Sequence, residues 1–358
     1  MTAVTAQRPS PKAPRSSAAV QQPLLVRFFP SLVIGGLLLV LVLIVAHVSI
    51  GTANVTPKDV IDVLTGQQVD QTTHIIVYDL RLPRALVAML AGAMLALAGA
   101  IMQTVMRNPL AEPDLTGASA GAVFFAVLWL SRQMIGWNVA APSVGVPAVA
   151  MLGSLFAGGF VYLLSRGRQR ETNTVRLVLT GVMVSAIFRS LTSLLLLVNQ
   201  NAASGILLWI IGSLNGRTWI HWETIWPWAA VTIPVGLACA GVANAIHLGD
   251  DLATALGMRV ERARLLLLFV AVLLTAGAVS VVGALGFLGL IAPHLTRRLV
   301  GNDARRVFPL SAIMGASLLM MADIVARGLT RVVDLPVGAV MAILGAPFLI
   351  YLLRRVGR

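Results

Sequence analysis

Residues 81–122 read RLPRALVAMLAGAMLALAGAIMQTVMRNPLAEPDLTGASAGA, and the fold follows from how a membrane-length apolar run gives way there to helix-breaking punctuation. Between Arg84 and Arg107 lie 22 residues with no formal charge, and about 20 apolar residues rising 1.5 Å each cross a hydrocarbon core. This is one transmembrane helix. Its small residues Ala88, Gly92, Ala96 and Ala100 recur every four positions, a face without bulk that lets helices approach closely where lipid offers no hydrophobic drive for association. The helix is therefore expected in the interior. Beyond it, Pro109 and Pro113 cannot continue a helix, and TGASAGA restarts a second small-residue surface.

The rest of the chain has the same character. Of its 358 residues 58% are hydrophobic and 11% charged, which makes several spans unavoidable and excludes a water-soluble domain, whose surface would carry large apolar patches. The net charge of +13 comes from 25 arginines and two lysines. Most of these residues lie in segments that the count of spans puts in the cytoplasm, as the positive-inside rule requires. Nucleic-acid binding is excluded, since no soluble basic module with interleaved aromatics exists. The one cysteine, Cys239, sits in an apolar run and has no intrachain partner. Residues 1–23, rich in Ser, Pro, Ala and Gln, read as a disordered cytoplasmic tail ahead of a membrane domain at 24–358.

Taken in order, the pattern gives ten spans at 31–50, 85–106, 116–134, 146–165, 177–198, 224–246, 265–282, 284–295, 307–326 and 335–353, with both termini cytoplasmic. The external segment after the first span includes VTPKDVIDVL, the pattern of a short amphipathic helix. Residues 207–222 are too short to span and read as a partly buried external connection. Residues 248–262 are polar but helix-prone, with Leu248, Leu252, Ala255 and Leu256 on one face, which predicts a short cytoplasmic helix.

Catalytic chemistry finds little support. The lysines, Lys12 and Lys58, do not follow a glycine, so no phosphate-cradling Walker A loop is present, and the five histidines are scattered without a metal-binding pattern. Arg189 falls mid-span, where a cation needs water, a carboxylate or backbone oxygens around it. With Ser185, Thr192 and Ser193 it makes a polar stripe on one helical face, which reads either as a pathway lining or as a helix-packing arginine. Asp323 and Arg327 stand four apart in the favoured order for a helical ion pair, which either satisfies itself or presents Arg327 outward. Arg81 and Arg84, at the same outer edge, have snorkelling as their simplest role. An ion-coupled secondary transporter would need acids or histidines along the core, and only Asp323, near an edge, is a candidate.

The motifs RLPR, RNPLAEPDLTG, GSLNG, LGDDLATALG, GFLGLIAPH, RRLVGND, LLMMADIVAR and LPVGAVMAILGAPFLIYLL occur together and in this order. In them the chain resembles the FecCD-type permease family, the membrane subunits of type II ABC importers for ferric siderophores, vitamin B12 and haem. The resemblance implies an all-α permease of about ten helices in the bacterial inner membrane. It carries no cofactor itself; ATP and Mg belong to two copies of a cytoplasmic ATPase beneath a permease dimer, with a substrate-binding protein docking outside. By resemblance, 248–262 matches the coupling helices seated in the ATPase, making Gly249, Asp250, Asp251, Leu256 and Gly257 contact candidates. Arg81, Arg84 and Arg327 match arginines that pair with glutamates of the binding protein. The fifth span matches a pathway helix, so that Ser185, Arg189, Thr192 and Ser193 line the route, while Thr174 and Val175 fall at the cytoplasmic gate. Val175 departs from the small hydroxyl residues common there. GSLNG, GDD and VERAR look most like ferric-enterobactin permeases, which work as unlike pairs, so a heterodimer carrying a ferric siderophore is favoured over a homodimer or a vitamin B12 or haem cargo.

Overall fold

The computed structural model describes residues 24–51, 55–67, 69–132, 145–166, 174–198, 203–329 and 335–356. The expected tail at 1–23 lies outside them. The regular elements are helices: α1 (Phe29–Ser49), α2 (Pro57–Leu64), α3 (Gln71–His74), α4 (Leu82–Val105), α5 (Ala118–Ser131), α6 (Val146–Ser165), α7 (Thr174–Val198), α8 (Ala203–Ile211), α9 (Trp219–Ala238), α10 (Ala240–His247), α11 (Asp250–Ala255), α12 (Val260–Val282), α13 (Leu288–Val300), α14 (Ala304–Leu329) and α15 (Val337–Val356).

The quoted stretch is the axis of the bundle. From Ala91 to Val105 every side chain of α4 is buried, because the small-residue face admits backbones on contact. A methyl group added at Gly92 would lie 2.4 Å from the Gly315 carbonyl oxygen of α14, and one at Gly99 would lie 1.9 Å from that of Gly289 on α13. Gln103 Nε2 then donates to the Gly289 and Leu290 carbonyls, 3.3 Å each, and Arg297 of α13 donates back to Thr104 Oγ1 at 3.1 Å. Close packing and interhelical hydrogen bonds substitute for the missing hydrophobic drive. The predicted amphipathic helix is α2, opened by a capping box in which Thr56 and Asp59 satisfy each other's backbone donors.

Among the described residues, seven helices are long and apolar enough to cross a membrane, eight if α9 and α10 are one span bent by 42°. Pro227 and Pro234 lie inside α9 and withhold backbone donors ahead of that bend. The bent pair begins at Trp219, so the expected connection at 207–222 is corrected: it holds the end of α8, a turn and the start of α9. The other two expected spans are α5 and α13, of 14 and 13 residues. Each is short because the chain ahead of it dips among the other helices before coiling, as the 3-10 turn Pro113–Thr116 ahead of α5 and the non-helical stretch 284–287 ahead of α13. Irregular backbone at such depth is tolerated only where protein or a cavity surrounds it.

Candidate functional site

Those two irregular segments face a cavity of about 690 Å³. Its walls come from α5 (Ser119, Val123), α7 (Arg189, Thr192, Ser193), the ends of α8 and α15, and the acids Glu112 and Asp114 of the helix break. Arg189 Nη2 donates to Asp114 Oδ2 at 2.6 Å, with both side chains still partly exposed to the cavity. The mid-span arginine thus has a resident carboxylate from another element, which is what a cation at that depth requires. Glu112 Oε1 accepts the Phe287 backbone N–H ahead of α13, where the positive end of the helix favours an anion. Phe287 holds a left-handed φ of 67°. Of the predicted stripe, Arg189, Thr192 and Ser193 reach the cavity, with their hydroxyls also donating to Phe188 and Arg189 carbonyls one turn back. Ser185 does not: it is buried beside Gly117 at the start of α5. The acids Glu112 and Asp114 were missed, although they stand inside the conspicuous RNPLAEPDLTG break.

At the opposite end of the bundle from Arg166 and Thr174 lies a smaller polar pocket of about 280 Å³ lined by Arg81, Arg84, Arg217 and Arg327. Arg81 Nη1 donates to the Val48 and Ser49 carbonyls at 2.9 Å, and Arg327 donates to those of His47 and Ile50. These are the orphan carbonyls at the end of α1, which need such partners. Arg84 grips the fully buried Asp323 with two bonds of 2.8 and 2.9 Å, and His47 Nε2 meets the same carboxylate at 2.8 Å. The Asp323–Arg327 pair is present at 3.4 Å as one edge of this network. Snorkelling is thereby corrected for Arg81 and Arg84: both turn inward, 7% and 8% exposed. Arg217 was not foreseen. Burial, then the charge of Arg84, pushes its guanidinium down to about 10.

The segment at 248–262 folds as predicted into a short helix, α11, entered through Gly249 at φ 119°, a backbone that side chains disfavour. Leu248, Leu252 and Leu256 are 59%, 57% and 70% exposed, an apolar row facing away from the bundle. Asp250 points back instead. It accepts from Arg107 Nη2 at 2.5 Å and Arg264 Nη2 at 3.1 Å, while Arg107 also donates to the Ile246 carbonyl at 2.7 Å. Asp250 is thus a tether whose side chain is also 49% exposed at the surface; Asp251, Leu256 and Gly257 are exposed too. Val175 is 66% exposed in the first turn of α7, and Thr174 begins that helix.

A multi-pass helical bundle with a cavity that carries an arginine–aspartate pair, an arginine pocket at one end and a tethered apolar row at the other is a membrane transport subunit. The chain belongs to the FecCD transport family, whose family model matches residues 38–355; it is a permease subunit of a type II ABC importer. It is 36% identical over 318 residues to the Fe(3+)-citrate import system permease protein YfmE of Bacillus subtilis (strain 168), covering 88% of this chain and 92% of that one. It is 39% identical over 286 residues to the cobalamin import system permease protein BtuC of Halobacterium salinarum, covering 80% and 75%. A solved structure of a metal-chelate type ABC transporter in an inward-facing conformation superposes with a TM-score of 0.76 at 28% identity, over 91% of this chain and all but 1% of the other.

Proposed function

We propose that this chain is one half of a permease pair that carries a ferric siderophore across the bacterial inner membrane by alternating access, driven by two copies of a separate cytoplasmic ATPase. The observation that carries this reading is the larger cavity with its Arg189–Asp114 pair. The iron-chelate names among the relatives favour that cargo. Both termini are cytoplasmic in this reading, which puts the 248–262 segment on the ATPase side.

Its parts act mechanically. The row Leu248, Leu252 and Leu256 seats in the ATPase, flanked by Gly249, Asp251 and Gly257, while Asp250 transmits its movement to Arg107 at the foot of α4. The four outer arginines, which outnumber the one carboxylate among them, draw acidic side chains of a substrate-binding protein into their pocket. Thr174 and Val175 border the cytoplasmic exit. The cobalamin relative supports vitamin B12 as the second cargo. Competition of radiolabelled iron uptake by siderophores of different charge, ferric citrate, haem and cobalamin decides between them: displacement by a siderophore alone supports the assignment, and displacement by cobalamin alone replaces it.

A further inference from the structure

A further cavity, about 190 Å³, opens between α6, α7 and α12, away from the one that holds Arg189. Its wall is apolar, from Leu155, Val161, Leu177, Leu268, Phe269 and Val272 among others. Glycine makes the space. A methyl group built on Gly159 would meet nothing within 4 Å, and Gly158 beside it brings α6 close to Val272. Tyr162 also lines the groove, and its buried hydroxyl finds no hydrogen-bond partner among the described residues.

The groove lies near three helix ends that share one side of the bundle. Tyr162 is in the last turn of α6, Leu177 in the first turn of α7, and Leu265 near the start of α12. Basic residues collar that end. Arg166 lies over the Tyr162 ring at 5.0 Å, and Arg176, exposed, directly precedes Leu177. Arg264, next to Leu265, is committed to Asp250 and Glu261.

We propose that this groove binds one acyl chain of an anionic phospholipid, with Arg166 and Arg176 holding the headgroup. An apolar slot gives chain burial but no headgroup preference; the arginine collar supplies the preference, as basic pockets between membrane helices do. Placing this lipid in the inner leaflet rests on the proposed function, in which Thr174 and Val175 border the cytoplasmic exit.

The test is native mass spectrometry of the intact transporter complex, washed free of bulk lipid and titrated with phosphatidylglycerol and phosphatidylcholine of identical chains. Wild type should retain phosphatidylglycerol preferentially, and soluble glycerophosphoglycerol should not displace it. Arg166→Ala and Arg176→Ala should each lower phosphatidylglycerol affinity roughly fivefold, from about 1 kcal/mol per basic residue, and leave phosphatidylcholine unchanged. Gly159→Leu, which fills the slot, should lower both. Equal retention of the two lipids by wild type, or retention that none of the three variants alters, overturns the proposal. So does efficient cross-linking of Gly159→Cys to the second permease, which would show protein covering the groove. Lipid counts do not depend on cargo or sidedness, so failed uptake with the lipid preference intact would count against the transport reading alone.

Discussion

At Arg189 a single side chain is asked either to neutralise Asp114 or to attract cargo, and the two roles separate by mutation. Arg189→Ala leaves Asp114 as an unpaired acid in the cavity, so uptake of an anionic chelate should fall. Adding Asp114→Asn should recover uptake of a neutral chelate but not of an anionic one, measured as initial rates of labelled iron entry; equal recovery of both would reduce Arg189 to a counter-ion. The Asp323 network makes the opposite kind of prediction, about stability. Removing one partner from a fully buried pair strands the other, so Asp323→Ala should cost about 3–5 kcal/mol, seen as an earlier thermal transition of the purified protein. Asp250 adds a pH dependence. Burial pushes its carboxyl up, but hydrogen bonding to Arg107 and the charge of Arg264 outweigh this and leave it below the ordinary aspartate range. The tether therefore contributes fully above that range and is lost only as pH falls through the lowered value. Protease protection of residues 248–262 should persist through mild acid and disappear below it in wild type, and be absent throughout in Asp250→Asn. Much of this was legible: the sequence shows that an arginine sits mid-span and that an acid precedes Arg327 by four. It does not show which distant group answers each charge, because Asp114, His47 and Arg107 reach their partners only through tertiary folding.

Among the elements, α4 was the most legible, since its small-residue face states where neighbours must come. Gly99→Leu should drive a side chain into the Gly289 backbone and cost at least the 1–3 kcal/mol of an overpacked core, whereas Gly35→Leu, which meets nothing within 4 Å, should stay within about 0.5 kcal/mol. Thermal unfolding in one detergent compares them directly. Helices α5 and α13 were harder. The segments ahead of them are the 3-10 turn Pro113–Thr116 and the non-helical residues 284–287, and hydropathy does not distinguish α-helical from irregular buried backbone. The broken α9–α10 pair was hidden for a related reason: Pro234 signals a kink without saying whether the helix resumes.

For the molecule as a whole, α4 joins the two working ends. Arg84, in its first turn, lines the arginine pocket, and Arg107, just past its last, holds the segment at 248–262. Arg217→Glu at the outer end should weaken capture of the substrate-binding protein without affecting ATPase co-purification, and the wild-type interaction should weaken as salt screens the arginines. Leu256→Asp should do the reverse, releasing the ATPase and sparing the binding protein. The measurement that bears most directly on the central claim is labelled iron-chelate uptake into liposomes containing the assembled complex, with ATP on the ATPase side. Uptake should require ATP and the ATPase partner, and should fail with Leu256→Asp in the permease. Uptake that continues at the same rate without the ATPase, or with Leu256→Asp, would contradict the account.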